Sequence, residues 1–157
     1  MGEPTILIKD KVPKDWIDYN GHMNDAAYAR AFSWSVDRFM KWIGITDDFR
    51  EQTQYTIFTM ENHICYLDEM NYGESFEIHM QVIDYDDKRV HLFYELIGEN
   101  KKYAATCEQM LMGIDQTAGK AAPFPDAIFT RVKELAKQHT LEEKPKIVGR
   151  VIGIRRT

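Results

Sequence analysis

Hydrophobic positions change period along this chain. Tyr28, Ala31, Phe32, Ser35, Phe39, Trp42 and Ile43 recur at helical spacing, and Ala27 and Trp34 widen the apolar face. The spacing predicts a long helix over about Asn24–Ile43. Asn24 suits its cap, Asp25 the positive end of its dipole and Gly44 its stop. Arg30, Asp37, Arg38 and Lys41 leave a narrow polar strip, so the helix is expected to be wrapped on several sides. Elsewhere the period is two. A short strand is expected at Thr5–Lys9, and β-branched and aromatic residues fill Thr53–Glu69. Phe76, Ile78, Met80 and Val82 alternate with polar residues, as do Val90, Leu92, Tyr94 and Leu96 with Arg89, His91, Phe93 and Glu95. Lys102–Ile114 reads as a further strand, about Asp126–His139 as a second helix, and Ile147–Ile154 as a final edge strand weakened by Gly149 and Gly153. The turns at Tyr72-Gly73, Asp84–Lys88 and Gly98-Glu99-Asn100 are short.

This order predicts an α+β fold in which one antiparallel sheet curls around one long central helix. The domain is expected over residues 1–140, with 141–157 as a C-terminal tail or edge strand. One sheet on one helix leaves open edges and an uncovered face. Both invite a second copy, so a homo-oligomer, a dimer or a dimer of dimers, is the expectation.

Composition narrows the function classes. The length of 157 residues suits one domain with a real core. A net charge of −5 speaks against nucleic acid as partner. Lys144, Lys146, Arg150, Arg155 and Arg156 are a local exception, either a solvated tail or a contact for a nucleotide phosphate. Cys65 and Cys107 are far apart and lack partners at metal spacing, so buried reduced thiols in a cytoplasmic protein are expected. No apolar run approaches the ~20 residues of a membrane span, and no secretory leader is evident. With no HExxH or Cys/His spacing, no metal and no separate cofactor are expected.

The chemistry concentrates at Asp18-Tyr19-Asn20-Gly21-His22-Met23-Asn24-Asp25, immediately before the long helix. A carboxylate beside free helix N–H donors is what attack on a carbonyl needs. Asp18 either does this chemistry, as base or nucleophile, or caps a turn at Asn20-Gly21. Asn20 is either a water- or oxygen-binding group or a turn former. His22 is either a base, a partner for Asp18 or a loop histidine. Asn24 is chiefly the helix cap, and the free N–H groups around Asn24–Ala26 are the expected oxyanion site. Glu61 and Thr59 lie on the strand expected beside the helix start, reaching it from the same chain or from a neighbour. Glu61 would be a second carboxylate there, or a polar residue on an open strand face.

Asp-x-Asn-Gly-His-x-Asn with an aromatic, Tyr28, four residues after the last Asn resembles the hotdog-fold thioesterases of the 4-hydroxybenzoyl-CoA thioesterase type. Tyr55-Thr56, Glu61-Asn62-His63, Lys88–Phe93 and Thr106–Leu111 are similar to betainyl-CoA thioesterases, which occur alone or fused to carnitine dehydrogenases. The similarity covers most of the first 125 residues, and Asp25 stands where relatives often carry Asn or His. The resemblance implies a hotdog fold and hydrolysis of a small acyl-CoA, short-chain or betainyl, to acid and free CoA. It makes Asp18, Asn20, His22 and Glu61 the catalytic candidates. Asn24, Asp25, Tyr28 and Thr59 are the substrate-binding ones. CoA arrives as part of the substrate. A betainyl group would want aromatic faces, for which Tyr28, Phe32, Tyr55 and Tyr66 are candidates or core packing. Lys88, Arg89, Lys101 and Lys102 would meet CoA phosphates or solvate turns. The alternatives are a hotdog enoyl-CoA hydratase, for which His22 falls one position too early, and an acyl-CoA-binding module without turnover.

Overall fold

The central helix α1 spans Asp25–Ile43 in a computed structural model that describes residues 3–139 and 144–156. Its N-cap is Asn24, whose side chain accepts from the Ala26 N–H. Gly44 ends it at φ 97°, a left-handed backbone that an L side chain resists. Against it lies one sheet of β1 (Thr5–Lys11), β2 (Tyr55–Tyr66), β3 (Ser75–Tyr85), β4 (Arg89–Gly98) and β5 (Lys102–Asp115). The order is β1-β3-β4-β5-β2, all antiparallel, with a two-residue β6 (Lys120–Ala121) on β5. The alternation in β3, β4 and β5 turns Ile78, Met80, Leu92, Tyr94, Leu96 and Leu111 to the helix, where they are fully buried with Phe39 and Ile43. This is the hotdog arrangement, with β1 and β2 as open edges.

Three features depart from the sequence pattern. A short helix α2 (Asp47–Thr53) precedes β2; Thr46 caps it by accepting from the Phe49 N–H at 3.2 Å. The outward side of α1 is not wrapped in a single chain, since Trp34 and Trp42 remain 44% and 50% exposed. The stretch 147–154 forms no strand. Its first residues make a turn closed by Arg150 N–H on the Ile147 carbonyl at 3.1 Å, with Gly149 at φ 80°. That left-handed residue breaks the extended run, and the Gly149 N–H bonds instead to Glu108 Oε1 at 2.8 Å. The expected boundary at 140 lies outside the described residues.

The second long helix α3 (Asp126–Gln138) buries Ile128, Val132 and Leu135. Its last turn delivers His139 to the sheet. Nδ1 accepts from the Val82 N–H at 3.0 Å, and Nε2 meets Thr5 Oγ1 at 2.8 Å. Because Nδ1 accepts, the ring proton sits on Nε2. The imidazole thereby supplies a backbone group of β3 with a partner just past the end of its pairing with β1. Among the described residues, no helix is long and apolar enough to cross a membrane.

Candidate active site

The loop before α1 is a tight reversal. Ile17 and Met23 form an antiparallel bridge, the Asp18 N–H bonds to the His22 carbonyl at 3.0 Å, and the Gly21 N–H returns to the Asp18 carbonyl at 3.0 Å. Gly21 has φ +82° with open space around it, so backbone conformation and not crowding demands glycine there. The Met23 N–H bonds to Met70 and the Asn24 N–H to Trp16, which ties the loop to its neighbours.

Asp18 is half-buried and does two things at once. Oδ1 accepts from the Asn20 N–H at 2.8 Å, the turn-capping role. Oδ2 faces the Asn24 amide nitrogen at 3.5 Å, at the head of α1. Asn24 also accepts from the Ala26 N–H at 2.8 Å, and Asp25 Oδ1 shares that donor at 2.9 Å. The oxyanion donors expected over Asn24–Ala26 therefore narrow. Asn24 and Ala26 are bonded internally, and the Asp25 N–H is the one of the three left without an acceptor among the described residues.

The other candidates divide. Asn20 is exposed and uses only its backbone N–H here. His22 turns to Glu69, Nε2 to Oε2 at 3.1 Å, and not to the Asp18 carboxylate. Tyr28 is buried; its hydroxyl donates to the Asp68 carbonyl at 3.3 Å. Burial first, then the nearby Glu74 carboxylate, pushes its phenol up to about 12. The Tyr66 ring meets it edge-on at 5.3 Å, and the Tyr66 hydroxyl donates to the Asp25 carbonyl at 3.2 Å. Asp25, Tyr28 and Tyr66 thus form one group at the helix start, with Asp18 across the cap.

Thr59 and Glu61 are two residues apart yet face opposite sides of the sheet. A bulge between them pairs Thr59 with core-facing Leu111 but Glu61 with Met110 on the outer face. There Glu61 borders a cavity of about 260 Å³ with His91, Glu108 and Arg150. Within one chain, Glu61 does not join Asp18. Tyr55 is likewise remote from the loop, donating to the Ala122 carbonyl at 2.9 Å. Of the candidate phosphate contacts, Lys102 is bonded to buried Glu74 at 2.9 Å and Arg89 is paired with Asp86. Glu74 supports the region from below. Burial would raise its carboxyl, but Lys102 and the Asn71 and Glu99 N–H groups hold it below the usual range.

Glu69, partner of His22, was not singled out in the sequence. Neither was Gln109, a buried polar residue on the helix-facing side of the sheet beside Tyr94 and Cys107. The signal for Gln109 was available: it occupies the buried phase of an otherwise apolar alternation with Cys107 and Leu111.

The family model for the thioesterase-like superfamily matches residues 12–132. A betainyl-CoA thioesterase from Pseudomonas aeruginosa is 36% identical over 155 residues, covering 98% of each chain. An L-carnitine dehydrogenase/betainyl-CoA thioesterase from Rhizobium meliloti is 32% identical over 154 residues; the chain spans 31% of that longer protein. Among solved structures, a Staphylococcus aureus protein in complex with CoA superposes with a TM-score of 0.92. It is 35% identical, over 99% of this chain and 98% of that one. The similarity therefore continues through the tail, past the first 125 residues in which the sequence motifs were legible. The chain belongs to the thioesterase-like superfamily.

Proposed function

We propose that this protein hydrolyses a small polar acyl-CoA, with betaine as the acyl group, to free acid and CoA. The observation that carries the reading is the Asp18 carboxylate held by Asn24 at the head of α1, next to the Asp25 N–H, which has no acceptor among the described residues. The thioester oxygen accepts from that N–H, with the positive end of the helix behind it. Asp18 then either attacks the carbonyl carbon or removes a proton from an attacking water. In the water route water supplies the new oxygen of the acid. In the direct route an Asp18 oxygen bonds to the acyl carbon as the C–S bond breaks, and water then cleaves the mixed anhydride at the Asp18 carbonyl, so its oxygen enters Asp18. In both, the departing sulfur takes a proton that comes from water. Loss of one such oxyanion donor costs ~3 kcal/mol in acyl-transfer sites. His22, paired with Glu69 at 3.1 Å, flanks the loop that carries Asp18. Single-turnover hydrolysis in heavy-oxygen water separates the two routes: direct attack leaves label in Asp18 and a water route does not.

The near-full-length similarity to the Pseudomonas aeruginosa enzyme supports the acyl choice. An open edge at β2 with exposed Phe58, Met60, Tyr66 and Leu67 supports a homo-oligomer built on that edge. Two free cysteines support a reducing, cytoplasmic setting. The test is release of free thiol from betainyl-, acetyl-, butyryl- and benzoyl-CoA. Preference for betainyl-CoA is expected, and no release from any of the four contradicts the reading.

A further inference from the structure

Near its end the chain comes back against the outer face of the sheet, and one carboxylate pins it there. Glu108 Oε1 accepts from the Gly149 N–H at 2.8 Å, while Glu108 Oε2 meets His91 Nε2 at 2.6 Å. Arg150 follows at once and borders two hollows. The first, of about 260 Å³, is the cavity that Glu61 also lines. The second is an open groove of about 430 Å³, in which Cys65, Tyr66 and Leu67 face Arg150, Ile152 and Ile154. Ile152 and Ile154 are 84% and 78% exposed, so this wall of the groove is apolar and uncovered.

Two properties of the groove point to what fills it. It is continuous with the candidate active site, because the Tyr66 hydroxyl donates to the Asp25 carbonyl at the head of α1. Its other end carries an uncommitted cation. Arg150 shares both hollows with His63, which lies three strand residues from Tyr66, roughly 10 Å along β2. Among the described residues, no carboxylate is within ion-pair distance of the Arg150 guanidinium. Glu108 has both oxygens engaged elsewhere, and Glu61 borders the same cavity without pairing to it. A free guanidinium is a planar fork of donors that fits phosphate oxygens. The chain carries a net charge of −5, so a polyphosphate needs a local basic segment to approach, and Arg155 and Arg156 follow on the same one.

Groove and cation match the two parts of one molecule. The pantetheine arm of CoA carries its sulfur at one end and a diphosphate at the other, with a gem-dimethyl carbon between them. Resting on the thioesterase reading, we propose that the segment from Gly149 to Ile154 is the CoA side of the substrate site. Its isoleucines pack on the pantetheine arm, and Arg150 binds a phosphate at the nucleotide end. The Glu108 anchor holds this wall against β2 through Gly149.

The test titrates CoA and pantetheine, which lacks the nucleotide and the diphosphate, into wild type and Arg150→Gln by calorimetry, with sedimentation of both proteins. Wild type is expected to bind CoA at least tenfold more tightly than pantetheine. The variant is expected to lose on the order of tenfold for CoA, as for a hydrogen bond to a charged group, and nothing for pantetheine. Added salt is expected to weaken CoA binding more in wild type than in the variant. Equal affinity of wild type for the two probes overturns the inference, as does a variant that keeps the wild-type affinity for CoA. A variant that sediments differently and loses both probes together makes the segment a contact between copies, which also overturns it. Thiol release by the same wild-type preparation keeps the two readings apart. Hydrolysis without a preference for CoA over pantetheine brings down only this inference, and Arg150-dependent CoA binding without hydrolysis brings down only the thioesterase reading.

Discussion

Asp18 carries two jobs on two oxygens, and the neighbour that separates them is Asn24. One Asp18 oxygen closes the turn at Asn20, and the other is presented to the helix head by the same carboxamide that caps it. Asn24→Ala removes the cap and releases the carboxylate together. A loss of ~1 kcal/mol is expected, read in thermal melts as a fall in Tm of roughly 2–4 °C. Turnover is expected to fall further than the stability loss accounts for, whereas a role in capping alone leaves kcat intact. Asp18, Gly21 and Asn24 were legible in the sequence because their roles are local: a turn needs a left-handed residue, and a helix start needs a side-chain acceptor. Glu61 was not. Its face depends on one extra residue at Met60, and a bulge of one residue reverses every later side chain on the strand without altering composition.

At the scale of elements, α1 and the sheet followed the apolar period, since burial on one face imposes it. Helix α2 lacks that signal. None of its residues is buried, and it is held by the Thr46 cap and two acidic residues in its first turn. The tail misled for a related reason: apolar Val151, Ile152 and Ile154 read as strand but are 78–84% exposed in the single chain. His139 supplies the pH dependence of the junction between α3 and the sheet. Burial lowers its pKa, and its accepting Nδ1 must stay unprotonated. A base with a depressed folded pKa leaves the native state binding fewer protons than the unfolded chain. The contribution is therefore full above the unfolded value of ~6.5 and is lost as pH falls from there toward the folded value. Denaturant melts at stepped pH are expected to show this acid-side loss, and His139→Gln to flatten it. An unchanged slope in the variant rules the role out.

For the whole molecule, the open β2 edge and the half-exposed tryptophans of α1 are the surfaces that the proposed homo-oligomer would cover. Phe58→Glu and Met60→Glu place charge on the β2 edge, and both are expected to yield monomers by sedimentation with loss of thioesterase activity. A fully active monomer contradicts the proposed assembly. The central claim is narrower than assembly and rests on one carboxylate at one helix start. It is tested most directly by the rate of thiol release from betainyl-CoA by Asp18→Asn against wild type, at matched folded fraction. A fall of at least about a hundredfold is predicted, as for loss of a group acting on the reacting atoms. A variant that keeps the wild-type rate contradicts the account.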